Sequence, residues 1–227
     1  MVSTYSKMSL VKSNASISIL MKKILILLFS IFFLSSSSVF ADDLSDFEIE
    51  GMSIGDSLLD YMTEDEILEG IERTKNDYLY LSEPHKYAEV YLYKNLQTYS
   101  GLSFFVENNS TNQYVSNKNE KYKILSIRGL IFYKEDFDSC IQKRDEIVED
   151  LSNAFPDAQK IEDSFSHPGD PSGNSFIDAV YFNFDSGASS EVSCTDLEES
   201  FRIKINWSEG LSVTIDSEEI ISWLRDY

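Results

Sequence analysis

The chain has 227 residues, with 39 Asp or Glu against 19 Lys or Arg, so its formal net charge is −20 at pH 7. A field of this sign repels phosphate backbones and anionic lipid, which argues against a nucleic-acid partner. The 15 Phe and 13 Tyr, with only four Pro, are typical of a packed domain rather than a disordered segment.

The first 41 residues have the three-part layout of a secretory signal. A basic segment, Met21-Lys22-Lys23, precedes an apolar run at 24–34 and a small-residue stretch that ends in Val39-Phe40-Ala41. We expect cleavage after Ala41 and a periplasmic or secreted product without membrane contact. The apolar run is about half of the ~20 residues that a transmembrane helix needs, although an N-terminal membrane anchor stays open as the alternative. The start codon is also open between Met1 and Met21.

Residues 42–227 have the length of a single exported domain. Because residues 1–41 contain four lysines and no acid, this domain has 15 basic and 39 acidic side chains, a formal charge of −24. Its two cysteines, Cys140 and Cys194, belong to the exported part, where thiols are usually oxidised, and they allow one intramolecular pairing. We therefore predict a Cys140–Cys194 disulfide.

Short elements are predicted at the start of the domain. The alternation at 47–50 favours a short edge strand. Asp56 or Ser57 can cap a short helix through Met62. The segment Thr63-Glu64-Asp65-Glu66 has the form of a capping box and predicts a helix to about Thr74.

The middle of the chain is rich in strand patterns. Alternation predicts strands at 87–93 and 102–106, with a turn at Gly101. The polar stretch 107–121 indicates an exposed loop, and the run 122–133 is apolar on both faces, as expected for a central strand with a bulge at Gly129. The tyrosines of the first strand could form an exposed aromatic strip for a glycan or peptide, although packing is their more usual role; they are Tyr87, Tyr91 and Tyr93.

Apolar residues at spacings of three and four predict one long helix at 136–155, in which Arg144 is the one polar member of the buried stripe. After it we expect a loop at 164–175 and then a meander of short strands, followed by a final helix at 218–227. The four strands of the meander are predicted at 176–185, 191–195, 201–207 and 211–215. The chain therefore predicts an α+β domain, a mainly antiparallel sheet covered by the long helix, with short helices near the mature N-terminus and at the C-terminus.

The segment Gly55-Asp56-Ser57-Leu58 resembles the nucleophile block of the GDSL-type (SGNH) hydrolases. The resemblance implies an α/β fold and an esterase in which Ser57 is the nucleophile, His167 the base and Asp163 the residue that orients the base. The chain departs from the family, because Asp163 precedes His167 by four residues rather than three and no Gly-x-Asn-Asp block is present. Helix capping by Asp56 and Ser57 is the interpretation that we prefer.

No metal or cofactor pattern stands out. The two histidines, His85 and His167, lie over 80 residues apart and have no zinc-ligand spacing. Four oxygen-bearing residues could gather around calcium but lack the spacing of a calcium loop; they are Asp163, Asp170, Asn174 and Asp178. No phosphate-binding glycine loop occurs, so we expect no cofactor.

A second resemblance extends over most of the domain. The stretch from Phe47 to Leu59, the strand segment 127–133 and Cys140 are similar to small exported proteins of marine alphaproteobacteria that have no assigned activity. The resemblance implies no functional residue. We therefore expect a non-enzymatic periplasmic domain that binds a protein or small molecule. A serine esterase and a membrane-anchored envelope structural or assembly factor are the alternatives.

Overall fold

The computed structural model of the chain describes residues 47–77, 81, 86–108, 117–134 and 136–226. The signal predicted at 1–41 and His85 lie outside these residues. The described part forms one seven-stranded sheet. The strands are β1 (Tyr87–Leu92), β2 (Gly101–Glu107), β3 (Ile124–Phe132), β4 (Gln159–Ser166), β5 (Phe176–Asn183), β6 (Ser189–Asp196) and β7 (Gly210–Asp216).

The sheet has the order β1-β2-β3-β7-β6-β5-β4, and all six neighbouring pairs are antiparallel. Two meanders, β1-β2-β3 and β4-β5-β6, are joined by β7, which lies between β3 and β6. Strand β3 is thus interior, as its apolar sequence predicted. The α+β class with a mainly antiparallel sheet is confirmed.

Four helices that lie wholly within the described residues accompany the sheet: α1 (Glu64–Thr74), α2 (Phe137–Ala154), α3 (Glu199–Ile205) and α4 (Glu218–Asp226). A 3₁₀ turn, Leu58–Asp60, precedes α1. The predicted capping box is present, since the Thr63 side chain accepts from Glu66 N–H and the Glu66 side chain accepts from Thr63 N–H. Together these caps satisfy two of the orphan N–H groups at the helix start. The helix predicted to about Thr74 and the final helix are confirmed, whereas the helix predicted through Met62 is only the 3₁₀ turn.

The hydrophobic core lies on one face of the sheet. Helix α2 packs mainly against β6 and β7 and is tied to β6 by the predicted Cys140–Cys194 disulfide, whose Cα atoms are 6.0 Å apart. Helix α1 packs against β1, where Gly70 gives space to Val90. A single long helix that covers the sheet is not confirmed, because α2 has 18 residues and shares this face with α1.

Arg144, the polar member of the α2 stripe, reaches the sheet. Its guanidinium binds Asp178 on β5 and Asp145 on α2 itself. Burial opposes the charge of Arg144, but the two carboxylates raise its pKa on balance. A buried charge is tolerated when it is paired, so the stripe can include an arginine without a defect in the packing.

Two segments differ from the predicted elements. The stretch 201–207 alternates like a strand, but 199–205 is the helix α3, in which Phe201 is buried and Ile203 is 66% exposed. The Glu198 carboxylate accepts from Phe201 N–H, and this local cap outweighs the alternation. Strand β4 was not predicted because it is an edge strand, exposed along nearly its whole length, and has no apolar face to give a period of two.

Three local predictions also need correction. Gly101 is the first residue of β2 rather than a turn, and the register through Gly129 is regular rather than bulged. Gly129 gives space to the ring of Tyr99. Residues 47–50 form only an isolated bridge between Ile49 and Met52. A two-residue bridge gives too few backbone hydrogen bonds to stabilise an edge strand.

Among the helices of the described residues, none has the length and apolar character required to cross a membrane.

Candidate functional site

Ser57, the nucleophile implied by the hydrolase resemblance, has a structural role. It is 3% exposed, its Oγ donates to the Lys121 carbonyl at 2.7 Å, and it accepts from Leu59 N–H at 3.3 Å as the N-cap of the 3₁₀ turn. An adjacent bridge to Lys123 places it beside the start of β3. The capping interpretation of Ser57 is therefore confirmed.

The structure does not bring His167 to Ser57. His167 follows β4 at the far edge of the sheet, and β7, β6 and β5 separate β4 from β3. Four strand spacings correspond to roughly 19 Å, far beyond the hydrogen bond that a serine and its base require. The Nδ1 atom of His167 accepts from Gly169 N–H at 3.1 Å, and the carboxylate of Asp163 accepts from Ser164 N–H at 2.9 Å. This geometry does not support the esterase.

The residues considered for calcium are used by the fold. Asp170 accepts four hydrogen bonds, from the N–H and hydroxyl groups of Ser172 and Ser175. Burial opposes ionisation of Asp170, but these hydrogen bonds set its pKa well below the usual range. Asp178 binds Arg144 instead. Within the described ranges, no group of three or more His, Cys, Asp or Glu side chains is placed to hold a metal ion.

The second face of the sheet, opposite the core, is only partly covered. Helix α4 covers its end near β1, where Ile220 is buried and Trp223 packs edge-on against Tyr87 with ring centroids 4.7 Å apart. The Tyr87 hydroxyl donates to Glu219 at 2.5 Å. Tyr87, one of the three tyrosines of the predicted aromatic strip, is therefore a packing residue.

Beyond α4 the same face forms an open groove of about 960 Å³. Its floor is built by side chains from the middle of the sheet, and its far end is closed by residues that follow β4 and α3. We call this cavity the groove. Side chains of its floor and ends include Tyr91, Tyr93, Ser103, Arg128, Phe132, His167, Tyr181, Glu191, Ser193, Trp207 and Ser212.

Aromatic side chains form both ends of the groove. At the β1 end, Tyr91 and Tyr93 lie parallel with centroids 6.0 Å apart, and Tyr93 is 60% exposed above Gly101. At the other end, Asn206 ends α3 in the left-handed conformation (φ 53°) and turns Trp207 into the groove. Trp207 is 51% exposed and contacts the ring of His167. Exposed rings at both ends of a cavity are typical of ligand sites.

A row of directly opposed residues crosses the middle of the groove. The register aligns Tyr91, Ser103, Arg128, Thr214, Glu191 and Tyr181 on neighbouring strands. Directly opposed residues share a face, so the row sets Arg128 and Glu191 on either side of Thr214. The Nε–H of Arg128 donates to Thr214 Oγ1 at 3.3 Å. Burial raises the pKa of the Tyr181 phenol, and the nearby Glu191 carboxylate raises it further.

Two further acids lie beside Arg128. Burial raises the pKa of Glu89, which is 3% exposed, although a hydrogen bond from Tyr91 and the charge of Arg128 oppose this. Burial likewise raises the pKa of Asp216, against a hydrogen bond from Ser126 and the same Arg128 charge. Within the described part of the chain, Glu89 Oε2 has no hydrogen-bond partner. Arg128 thus lies near two acids that are not part of the groove lining, whereas Glu191 is part of it.

Sequence reasoning missed the residues that characterise the groove. Arg128 is a basic residue inside an apolar strand, and that signal was present in the sequence. Glu191 and Trp207 gave no comparable signal, because they are brought to the groove by β6 and by the end of α3. The tyrosine strip was considered, and Tyr91 and Tyr93 do line the groove.

Comparisons of this chain with protein-family models, with curated proteins and with solved structures gave no match.

Proposed function

We propose that this chain is a non-enzymatic binding domain, and that its ligand lies in the groove. The observation that carries the proposal is a cavity of about 960 Å³ on the face away from the core, with exposed aromatic rings at both ends and hydroxyl groups on its floor. Ligand sites combine apolar walls with a few polar groups in this way. A folded domain has no structural need to leave Tyr93, Phe132 and Trp207 exposed around one cavity.

The length of the groove leaves room for an elongated ligand such as a short peptide. The row from Tyr91 to Tyr181 crosses five strand spacings, about 24 Å. A short peptide can occupy part of this length, where it meets the polar floor and the rings beside it. Hydroxyl side chains there can donate or accept, which suits the amide groups of a short peptide.

The same proposal includes export. The signal layout of residues 1–41 supports cleavage after Ala41 and a single domain at 42–227 in the periplasm or outside the cell. The Cys140–Cys194 disulfide supports an oxidising compartment. N-terminal sequencing of the native protein tests the cleavage, because Asp42 as the first residue would support it and Met1 or Met21 would contradict it.

Trp207 provides a direct test of groove binding. The chain has two tryptophans, and Trp223 packs under α4 rather than in the groove. In a Trp223→Phe protein, emission at 295 nm excitation reports Trp207 alone. We expect a saturable change on titration with pooled tripeptides that lack tryptophan.

The matched control is Trp207→Phe, in which the remaining Trp223 should not respond. Tyr93→Ala, made in the Trp223→Phe protein, should weaken the response at least fivefold without loss of the folded circular dichroism spectrum. No response in the Trp223→Phe protein, or a response that Tyr93→Ala leaves unchanged, would contradict binding in the groove.

A further inference from the structure

Among the described residues, two opposite charges in the groove have no ion-pair partner. In the ranges that the structure describes, no carboxylate lies within 4.0 Å of the Arg128 guanidinium, and no basic side chain lies within 4.0 Å of the Glu191 carboxylate. Arg202, which lies 4.0 Å from the groove residue Glu209, is paired with Glu199. Arg128 and Glu191 are thus available to a ligand.

The sheet holds these two charges at a defined separation. They stand on β3 and β6, with β7 and Thr214 between them, so that their backbones are two strand spacings or about 10 Å apart. The hydrogen bond from Arg128 Nε to Thr214 directs the guanidinium toward β7. The N–H groups of the two terminal guanidinium nitrogens remain available to a carboxylate, which arginine can bind with two parallel hydrogen bonds.

We propose that the groove takes a zwitterionic ligand, an α-amino acid or short peptide with both ends free, whose carboxylate binds Arg128 and whose ammonium group binds Glu191. This inference rests on the proposed function and names the ligand class of the same site. The hydroxyls of Ser103, Ser193 and Ser212 lie along the same floor and can bond to the amide groups of a peptide.

The charges favour a zwitterion over a simple ion. Among the described residues that line the groove, Arg128 is the one Lys or Arg, while Asp77, Glu191 and Glu209 are acidic. A simple anion would meet this acidic lining and the net charge of −20. A simple cation would be repelled by the exposed guanidinium of Arg128 and would leave that charge unpaired. A ligand with both groups satisfies Arg128 and Glu191 together.

The test uses the folded protein and ligand pools that differ only in their end groups. Free amino acids form one arm and random tripeptides another, and the tripeptides are prepared with both ends free, acetylated at the amine, amidated at the carboxyl, or blocked at both ends. Bound molecules are recovered by size exclusion and identified by mass spectrometry. We expect enrichment from a free-ended arm, with at least tenfold less from each pool that has one blocked end.

Two variants test which charged side chain binds which end of the ligand. Arg128→Gln should remove the preference for a free carboxyl, and Glu191→Gln should remove the preference for a free amine. The matched control is Lys160→Gln with Glu162→Gln, an exposed pair on β4 outside the groove lining, and it should keep both preferences. Near-ultraviolet circular dichroism verifies that each variant is folded.

The outcomes separate this inference from the proposed function. Equal enrichment from free and blocked tripeptides, lost in Tyr93→Ala, would overturn the zwitterion while groove binding stands. No enrichment from any pool, free amino acids included, would overturn both. Enrichment of free amino acids or of free tripeptides decides between the two sources of the zwitterion.

Discussion

The ring of Tyr93 occupies the space that a side chain on Gly101 would fill, so that a Cβ built on Gly101 would lie 2.6 Å from Cε1 of Tyr93. Tyr93 directly follows β1, and Gly101 is the first residue of β2. The glycine therefore sets the position of one aromatic wall of the groove. Its presence at the start of β2 is explained by the neighbouring ring.

This contact predicts a coupling between the two positions. Gly101→Ala should cost about 1–3 kcal/mol of the free energy of unfolding, because the ring must move away from the added methyl group. In a Tyr93→Ala background the same change should cost little, because no ring is left to displace. Urea unfolding of the four proteins gives the coupling energy. An equal cost of Gly101→Ala in both backgrounds would show that the ring is not the obstacle.

The disulfide should contribute much of the stability of the domain. Cys140 and Cys194 are separated by 54 positions, and closing such a loop stabilises a fold by about 4 kcal/mol in the chain-entropy model. The Cys140→Ala, Cys194→Ala protein should lose about this amount in urea unfolding. The reduced wild-type protein is the matched control, since it keeps both sulfur atoms. If reduction left the unfolding midpoint unchanged, the bond would not be stabilising the domain.

Ser57→Ala should reduce stability and leave ester hydrolysis unchanged. The change removes a buried hydroxyl that caps the 3₁₀ turn and leaves the Lys121 carbonyl without this donor, at a cost of about 1–2 kcal/mol. Urea unfolding measures the loss, and a p-nitrophenyl acetate assay measures hydrolysis. An esterase activity that disappears with Ser57→Ala and with His167→Ala would reverse the assignment of Ser57 as a cap.

The hydrogen bonds and ion pair of Glu66 predict that the stability of the domain depends on pH. The Lys94 ammonium and the N–H and hydroxyl of Thr63 lower the pKa of Glu66 to about 2. A carboxyl with a depressed pKa stabilises the fold above its unfolded pKa of about 4.3, and the contribution falls as the pH drops to the folded value. The difference in unfolding free energy between wild type and Glu66→Gln should thus be complete above about pH 5 and vanish near pH 2.

The control for Glu66 lies on the same helix. Glu69→Gln removes an exposed ion pair with Arg73 outside the capping box, and such pairs contribute little. Urea unfolding at a series of pH values compares the three proteins. A wild-type advantage over Glu66→Gln that stays constant from pH 6 to pH 2 would contradict the lowered pKa.

The sequence was sufficient to predict the elements whose signal is local or periodic. The capping box at Thr63–Glu66, the stripe of α2 and the apolar run of β3 each predicted the observed element to within a few residues. The disulfide was also predictable, because two cysteines allow one pairing and the stripe of α2 directs Cys140 inward. These features depend on neighbours in the chain or on composition alone.

Only the tertiary structure determined where the groove lies and which residues line it. The edge strand β4 is exposed along nearly its whole length, so that its sequence has little period-two signal. A local cap at Glu198 converts the alternating segment after it into α3. The placement of β7 between β3 and β6 then sets Arg128 and Glu191 in one row, although 63 positions separate them in the chain. Strand order depends on which apolar faces can be buried together, a long-range balance that no local pattern encodes.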